Sequence, residues 1–495
     1  MEKTISPVPQ SWLSKYYGLL LGFVVMFAII AMPNPVGLPV AGQRMLGILV
    51  FSVIIWMTEA VSYPVSSAII ITLMAFLLGI SPDVANPTAL LGTSKALELS
   101  LGGFSNTALA LVAGALFLAA AMTHTGLDKR IALVVLSKVG ARTNRVLIGV
   151  ILVGFILSFF VPSTTARVSC LVPIVMGIIA AFGVEKKSRF AAMMMIATAQ
   201  ADSIWNIGIK TAAAQNMIAL GFVEKMLGKT ITWMDWFIAA APYAAIMSVV
   251  LYYVLLKLIP PEVDEIAGGK EAVAKAMKDL GPMGSSEKKL LAISLVLLFF
   301  WATEKIVHPF DTSSTTIAAI TLLLMPGIGV MTWKEAQSKI PWGTLILFGV
   351  GISLGSAILS TKAAAWLAQI IVTLFGLQTL PALTIFAVLA AFLIVIHLGF
   401  ASATALAAAM IPIIISILQS VQTTGINVIG MTMVLQYVVS FGMILPVNAP
   451  QNMIAYGTDT FEVKDFIKVG IPLTVFGFVV LMVLGATYWK WLGIM

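Results

Sequence analysis

Apolar runs of helical length, separated by short polar turns, extend from residue 17 to residue 489. A helix that crosses a membrane needs about 20 mostly apolar residues. On that criterion the predicted full spans are residues 17–33, 43–60, 64–80, 105–125, 236–259, 289–307, 313–330, 341–361 and 468–489. Together with two longer, interrupted regions, they predict an all-α polytopic membrane protein with about 11 transmembrane helices.

Two regions, 144–222 and 380–461, interrupt their apolar runs with polar clusters. Polar, non-helical backbone at membrane depth persists only inside protein or beside a water-filled cavity. We therefore expect each region to hold a re-entrant helical hairpin followed by a broken helix. In chain order the predicted segments are a hairpin at 144–182, a broken helix at 190–222, a hairpin at 380–420 and a broken helix at 430–461.

Several motifs recur in the same order in the second half of the chain, which indicates an internal repeat. The pairs are Trp56-x-Thr58-Glu59 with Trp301-x-Thr303-Glu304, Ser163-Thr164-Thr165 with Ser402-Ala403-Thr404, Gln215-Asn216-Met217 with Gln451-Asn452-Met453, and Asp235 with Asp465. A hydrophilic segment, 260–289, lies between the halves. Chance could produce any one of these matches, but hardly all of them in one order.

Charged residues are scarce and unevenly placed. They make up 10% of the 495 residues, against about 25% in soluble proteins, which excludes a soluble enzyme or a nucleic-acid-binding protein. Most of the 29 Lys and Arg residues fall on one side when the N-terminus is placed in the cytoplasm, as the positive-inside rule requires for a plasma-membrane protein. The same threading puts Glu59 near the inner face and Glu304 near the outer face, so we expect inverted repeats.

The clusters from Ser163 to Thr165 and from Ser402 to Thr404 mark the two hairpin tips. A returning helix offers unpaired N–H groups and the positive end of its dipole, and the hydroxyls add donors, so each tip predicts an anion site. The alternative is that these hydroxyls only cap their helices. Two facing half-sites suit a ligand with an anionic group at each end, and a small dicarboxylate is the simplest such ligand.

Asn216 and Asn452 stand where the broken helices resume. Each amide could orient a carboxylate without adding charge, or could bridge the two halves of its helix, and the two roles are compatible. The expected substrate-binding residues are therefore Ser163, Thr164, Thr165, Asn216, Ser402, Ala403, Thr404 and Asn452.

The paired Ser-x-Thr tips, the paired Gln-Asn breaks and the repeat resemble the divalent anion:sodium symporter (DASS) family, the INDY-type di- and tricarboxylate transporters, over nearly the whole chain. The resemblance implies a homodimer in a lipid bilayer, in which a transport part moves as an elevator against a scaffold. The implied substrates are succinate, malate, fumarate, 2-oxoglutarate or citrate. We expect no nucleic-acid partner. The scaffold would comprise residues 1–100, 236–259, 290–340 and 464–495, the transport part 101–235 and 341–463, and the cytoplasmic linker 260–289.

The chain differs from the sodium-coupled members of that family at the tips and breaks. Those members carry Ser-Asn-Thr at both tips, whereas Thr164 and Ala403 occupy the middle position here. The family's breaks commonly read Pro-Pro-Asn, but here they read Ala214-Gln215-Asn216 and Pro450-Gln451-Asn452. These differences resemble the antiporter branch, the bacterial dicarboxylate and citrate exchangers. We therefore expect sodium-independent exchange without a cofactor or a metal, and sodium-coupled symport is the alternative.

Three basic side chains, Arg167, Lys210 and His397, lie at membrane depth near the tips and breaks. An unpaired cation in the membrane interior is costly and usually functional. We expect them to compensate the charge of the anion in place of sodium. Because a fixed charge cannot leave with the substrate, the empty carrier would not cross readily and exchange would be obligatory. Asp202 is a candidate partner for Lys210, which would make that lysine structural.

An intramembrane enzyme is the alternative of another class. It would need a nucleophile with its base, or a metal site, and the chain has three His, one Cys and no His-Glu-x-x-His motif. A channel is a further alternative, but two re-entrant tips in an inverted repeat suit alternating access better. We therefore expect a transporter and not an enzyme.

Overall fold

The computed structural model describes residues 12–140, 142–181, 184–262, 269–421 and 426–495. These residues form helices joined by short turns, and within them no β-strand is formed, only isolated bridges such as those between Pro82 and Leu90 and between Glu304 and His308. The predicted all-α class is therefore confirmed. The N-terminal residues 1–11, which we expect in the cytoplasm, and part of the linker, 263–268, lie outside the described residues.

The first half of the chain is a series of helices of unequal length. In chain order they are α1 (Trp12–Ala31), α2 (Val40–Met57), α3 (Tyr63–Leu73), α4 (Thr93–Leu101), α5 (Thr107–Thr125), α6 (Leu127–Val139), α7 (Thr143–Phe160), α8 (Thr164–Ala181), α9 (Arg189–Gly208), α10 (Ala214–Leu227) and α11 (Trp233–Leu258). A π-helical turn, Met74–Leu78, extends α3, and 3₁₀ turns at Gly102–Phe104 and Lys210–Ala212 precede α5 and α10.

The second half repeats this order after the helix α12 (Gly269–Leu280). Its helices are α13 (Ser285–Ala302), α14 (Thr312–Leu324), α15 (Trp333–Lys339), α16 (Trp342–Ser360), α17 (Ala363–Leu374), α18 (Ala382–His397), α19 (Ala403–Ser420), α20 (Val428–Val438), α21 (Pro450–Tyr456), α22 (Val463–Ala486) and α23 (Tyr488–Trp491). 3₁₀ turns lie at Leu377–Thr379 and Pro446–Asn448. In the described chain, α13 to α22 thus follow α2 to α11 helix by helix.

Each half contains a helical hairpin and then a broken helix. α7 and α8 form the first hairpin and turn at Pro162, whose ring forces the preceding Val161 out of the helical conformation (φ −117°, ψ 92°). α18 and α19 form the second hairpin, in which Ser402 caps the returning helix. Residues 209–213 break the helix between α9 and α10, and residues 439–449 separate α20 from α21.

Seven of the described helices are long and apolar enough to cross a membrane, by length and composition alone. They are α2, α5, α7, α11, α16, α19 and α22 with its continuation α23. Other apolar helices are shorter than the predicted spans. For example, α14 has 13 residues, because Asp311 caps its start and Met325, which precedes a proline, leaves the helical conformation.

Helix α9 forms the centre of the molecule. Every residue from Phe190 to Gly208 is buried, and the helix packs against α7, α8, α11 and α21. Large exposed apolar side chains lie instead on the peripheral helices, for example Val24 on α1, Val249 on α11 and Val475 on α22. A helix buried on all sides that still carries Gln200, Asp202 and Asn206 must satisfy those groups inside the protein.

Gly470 gives a test of this packing, because α22 lies directly against the irregular segment 439–449 there. A Cβ at Gly470 would overlap the carbonyl oxygen of Met443 and would lie 2.8 Å from the Cα of Ile444. We expect Gly470→Ala to destabilise the protein by about 1–3 kcal/mol, measured as a lower melting temperature of the purified protein in detergent. Gly177→Ala is the matched control, since nothing lies within 4 Å of that position in α8. Equal melting temperatures for the two variants would contradict this packing.

Candidate functional site

Both hairpin tips and both helix breaks line one cavity of about 740 Å³. The expected tip residues all contribute to its wall, as do several residues at the breaks. These residues are Ser163, Thr164, Thr165, Asn206, Ala214, Gln215, Ser402, Ala403, Thr404, Pro450 and Gln451. Residues that are more than 230 positions apart in the chain thus meet at one place, as the internal repeat predicts.

Helices α8, α10 and α19 begin at the wall of this cavity. The first N–H groups of a helix have no partner within the helix, and its start carries a partial positive charge of about half a unit. α21 also begins there, but it has only seven residues and Pro450, its first residue, has no N–H group. The cavity therefore has the potential and the donors that an anion requires.

The tip serines cap the returning helices, as one of the two interpretations predicted. Ser163 Oγ accepts the N–H of Ala166 and Ser402 Oγ accepts the N–H of Ala405, each at 3.3 Å. In the described chain the hydroxyls of Thr165 and Thr404 have no hydrogen-bond partner, and both residues line the cavity. In each tip the serine thus caps the returning helix, while the threonine two positions later presents its hydroxyl at the cavity wall.

Asn216 and Asn452 do not line the cavity. Their amide groups bridge the helix breaks, since Asn216 Nδ2 donates to the carbonyl oxygen of Asn206 and Asn452 Nδ2 to that of Gly442, each at 2.7 Å. The Oδ1 atoms of both are buried without a hydrogen-bond partner in the described structure. Of the two compatible roles considered for these residues, the geometry shows the bridging one.

Two glutamines beside them tie the halves of the chain together. Gln215 Nε2 donates to Ser440 Oγ at 3.2 Å, and Gln451 Nε2 donates to Ser203 Oγ at 3.1 Å. Gln215 and Gln451 are equivalent in the repeat, and the contacts are reciprocal. Each break is therefore fixed to the broken helix of the other half, directly at the cavity wall.

Arg167 is fully buried and pairs with Asp202, with its Nε 2.6 Å from Asp202 Oδ1. The alternative in which Lys210 pairs with Asp202 is therefore wrong. The expectation of an unpaired positive charge at Arg167 is also wrong, because Asp202 neutralises it. The other guanidinium nitrogens donate to the carbonyl oxygens of Val161 and Ala212 and to Asn206 Oδ1. Arg167 thus joins the first hairpin tip to the first break.

Lys210 lies on the 3₁₀ turn of the first break, but its side chain points away from the tips. Its ammonium group donates to the carbonyl oxygen of Ile231 at 2.8 Å and to Thr312 Oγ1 at 3.3 Å. Thr312 in turn donates to Glu304 at 2.7 Å. These groups line a second cavity of about 560 Å³. The structure therefore places Lys210 between the first break and the start of α14, outside the wall of the tip cavity.

His397 ends α18 and is buried beside the second break. Its Nε2 lies 3.3 Å from the carbonyl oxygen of Asn448, and Asn448 Nδ2 donates to the carbonyl oxygens of His397, Leu398 and Phe400. Asn448 thus joins the second hairpin tip to the second break, as Arg167 does in the first half. His397 does not reach the cavity wall.

The residues expected to bind substrate did not include several polar residues of the cavity wall. Among them, Asn206 lies in the last turn of α9, Gln215 and Gln451 lie in the first turns of α10 and α21, and Tyr63 lies at the start of α3, where its side chain interacts with Ser402. A signal for Asn206 existed, because Asp202 and Asn206 are four positions apart and so share one face of α9. That face meets Arg167 on α8.

The wall of the cavity also carries charged side chains. Lys129 and Lys339 line it, together with Asp128 at the start of α6. Burial raises the pKa of the Asp128 carboxyl group, which accepts the backbone N–H of Lys129 at 2.7 Å. Two lysines in the wall favour the approach of anions.

Two observations concern the features that an intramembrane enzyme would need. No group of three or more His, Cys, Asp or Glu side chains is arranged there to hold a metal ion. The sequence does contain one Gly-x-Ser-x-Gly motif, Gly351 to Gly355. It lies inside α16, where Ser353 Oγ accepts the N–H of Gly103 at 2.9 Å. A nucleophile of that motif stands instead on a turn between a strand and a helix.

Comparison with known proteins gives one family and several relatives. The family model described as the sodium:sulfate symporter transmembrane region matches residues 13–495. A membrane protein of Cupriavidus necator is 57% identical over 486 residues, which cover 98% of this chain and 94% of the relative. The citrate/succinate antiporter of Escherichia coli K12 is 25% identical over 486 residues, 95% of this chain and 96% of the relative.

A third relative is the sodium-dependent dicarboxylate transporter SdcS of Staphylococcus saprophyticus. It is 26% identical over 404 residues, 77% of this chain and 76% of the relative. Among solved structures, the YdaH transporter of Alcanivorax borkumensis superposes with a TM-score of 0.57 at 13% identity, over 88% of this chain and 99% of that one. At that identity the likeness shows a shared fold.

The Arg167–Asp202 pair gives a second prediction. Removal of one member leaves the other charge buried and unpaired, so Arg167→Met and Asp202→Asn should each cost about 3–5 kcal/mol of stability. The double variant should lose less than the sum of the two, because no uncompensated charge remains. The measurement is the melting temperature of the three purified proteins. Strictly additive losses would show that the two side chains do not interact.

Proposed function

Because this chain belongs to the sodium:sulfate symporter transmembrane family, we propose that it is a secondary active transporter of small di- and tricarboxylates. We further propose that it works as a sodium-independent exchanger of these anions. The observation that carries the first proposal is the start of three long helices, α8, α10 and α19, at one cavity between the hairpin tips.

The donors of this cavity suit carboxylates. Helix starts supply N–H groups and positive potential, and the hydroxyls of Thr165 and Thr404 add one donor from each tip. Carboxylate oxygens accept such hydrogen bonds without a counter-charge from a side chain. Because both tips line the same cavity, a molecule with carboxylates at both ends can use both sets of donors.

Relatives of the chain support this substrate class. The names of two of them, the citrate/succinate antiporter and the dicarboxylate transporter SdcS, describe di- and tricarboxylates. The antiporter aligns over nearly the full length of both chains. Exchange is favoured over symport because Thr164 and Ala403 replace the asparagines of the sodium-coupled members at the tips.

We propose that the source of the fixed positive potential is the helix starts. Arg167 is neutralised by Asp202, and Lys210 and His397 do not reach the cavity. Dipoles of the backbone, like a fixed cation, stay behind when the anion leaves. If the carrier moved empty, it would carry this positive potential through the membrane without a compensating anion, and that is energetically unfavourable. The carrier therefore returns only with a second anion bound, so the outward transport of one anion is coupled to the inward transport of another.

The movement that we propose is that of an elevator, with the hairpins and broken helices as the moving part of each protomer in a homodimer. The reciprocal bonds from Gln215 to Ser440 and from Gln451 to Ser203 support a single moving body. The cavity is lined by Lys129, which lies in a segment whose basic residues predict a cytoplasmic location. We therefore infer an inward-open arrangement with inverted repeats in the plasma membrane.

Sodium-coupled symport is the second candidate, and one observation favours it. The Oδ1 atoms of Asn216 and Asn452 are buried and lack a hydrogen-bond donor in the described structure. Amide oxygens of this kind are ligands for hard cations. Each lies at a break, beside backbone carbonyl groups, and SdcS is named as sodium-dependent.

Transport by reconstituted protein separates the two candidates. Liposomes that contain the wild-type protein are loaded with succinate or left empty, and uptake of labelled succinate is measured with and without external sodium. Exchange predicts uptake that requires internal succinate and is unchanged by sodium. Malate, 2-oxoglutarate and citrate are then loaded in place of succinate, and the rates of labelled succinate uptake rank these internal anions as substrates.

Other outcomes have distinct meanings in this assay. Uptake into empty liposomes that depends on a sodium gradient would support symport and contradict exchange. No uptake of any of the four anions under either condition would contradict carboxylate transport itself. Liposomes without protein provide the background.

A further inference from the structure

The two half-sites of the cavity share one backbone plan but differ in chemistry. In the first half, Arg167, Asp202 and Asn206 form a connected polar group. The equivalent positions of the second half, counted by the offsets of the repeated motifs, are Leu406, Val438 and Gly442. The polar group therefore exists on one side of the cavity only.

Asn206 is the member of this group that lines the cavity. It is 2% exposed, and its Oδ1 accepts hydrogen bonds from Arg167 Nη2 at 2.6 Å and from Thr164 Oγ1 at 2.8 Å. A guanidinium group can only donate, so it fixes the oxygen of the amide on its own side. The Nδ2 group of Asn206 is consequently turned away from Arg167, and no acceptor in the described chain binds it.

The orientation of Asn206 is held from behind. Asp202 Oδ1 accepts a hydrogen bond from Arg167 Nε, and the carbonyl oxygens of Val161 and Ala212 accept hydrogen bonds from its Nη1. The guanidinium group therefore cannot rotate freely. A donor that is fixed in this way at the cavity wall, with no acceptor in the described chain, is set to bind an anion that enters the cavity.

The remaining donors show the same imbalance. At the first break the helix starts with Ala214, which has an N–H group, and α10 has 14 residues. At the second break Pro450 has no N–H group and α21 has seven residues. At the tips, Thr164 of the first repeat corresponds to Ala403 of the second, and both line the cavity. At these repeat-equivalent positions the second half-site thus offers fewer donors.

We propose that the cavity holds its substrate in one orientation, with Asn206 Nδ2 binding a constant carboxylate at the first hairpin and the second half-site taking the variable end. Arg167 and Asp202 act as positioning residues for Asn206. This inference rests on the proposed carboxylate transport and adds a substrate class: carboxylates that share one unsubstituted carboxymethyl end and differ at the other end.

Succinate, malate and tricarballylate form a suitable series, because each has an unsubstituted carboxymethyl end. The experiment measures the concentration of each that halves exchange of labelled succinate in succinate-loaded liposomes. Asn206→Ala should raise all three values by one common factor of roughly tenfold or more, as loss of a hydrogen bond to a charged group predicts. Thr404→Val, in the second half-site, should instead change the ranking of the three anions.

Asn206→Asp gives an independent check on folding. It keeps the shape of the side chain and the contact with Arg167, but it replaces the donor that faces the cavity with a carboxylate oxygen. We expect it to elute and melt like the wild type while binding all three anions more weakly than Asn206→Ala does. If Asn206→Ala does not fold, the half-inhibiting concentrations of Asn206→Asp alone test the proposal.

Specific results would overturn the proposal without affecting carboxylate transport. One such result is a half-inhibiting concentration within about twofold of wild type for Asn206→Ala or Asn206→Asp. The other is a changed ranking of the three anions in those two variants, together with a uniform loss of affinity for all three anions in Thr404→Val. Wild-type protein that exchanges none of the three anions would instead contradict the proposed function itself.

Discussion

The structure depends on one constraint, which is that each backbone N–H and C=O group freed by a helix break at membrane depth must find a partner inside the protein. Four such interruptions meet at one place here, two hairpin tips and two breaks. Asn216 and Asn452 satisfy carbonyl groups across the breaks. Tip and break are then joined by Arg167 in the first half and by Asn448 in the second. The same backbone problem thus has two chemical solutions.

The groups that stay unsatisfied are the ones that bear on function. Carbonyl groups at the interruptions are bound by side chains, while helix starts and the hydroxyls of Thr165 and Thr404 face the cavity. The result is a surface of donors with little net side-chain charge, which suits an anion that must bind and later leave. The glutamines at the breaks add rigidity, because each is bonded to the opposite half of the chain.

The difference between the halves is as informative as their similarity. A duplicated plan gives two half-sites, but the group of Arg167, Asp202 and Asn206 is present in the first only. A buried ion pair is costly to desolvate and contributes little net stability by itself. Its position behind Asn206, which lines the cavity, supports the proposed role of the pair in orienting a ligand.

The sequence by itself determined the helical class, the two interrupted regions, the repeat and the tip residues, because these follow from local hydrophobicity and from motifs read along the chain. It did not determine the partners of buried polar groups. Lys210 looked like a partner for Asp202, but α9 ends at Gly208, so Lys210 leaves the helix face that Asp202 and Asn206 share. Which helix lies against that face is set by tertiary packing. Only the folded structure therefore decided that Arg167 is neutralised and that Asn206 faces the cavity.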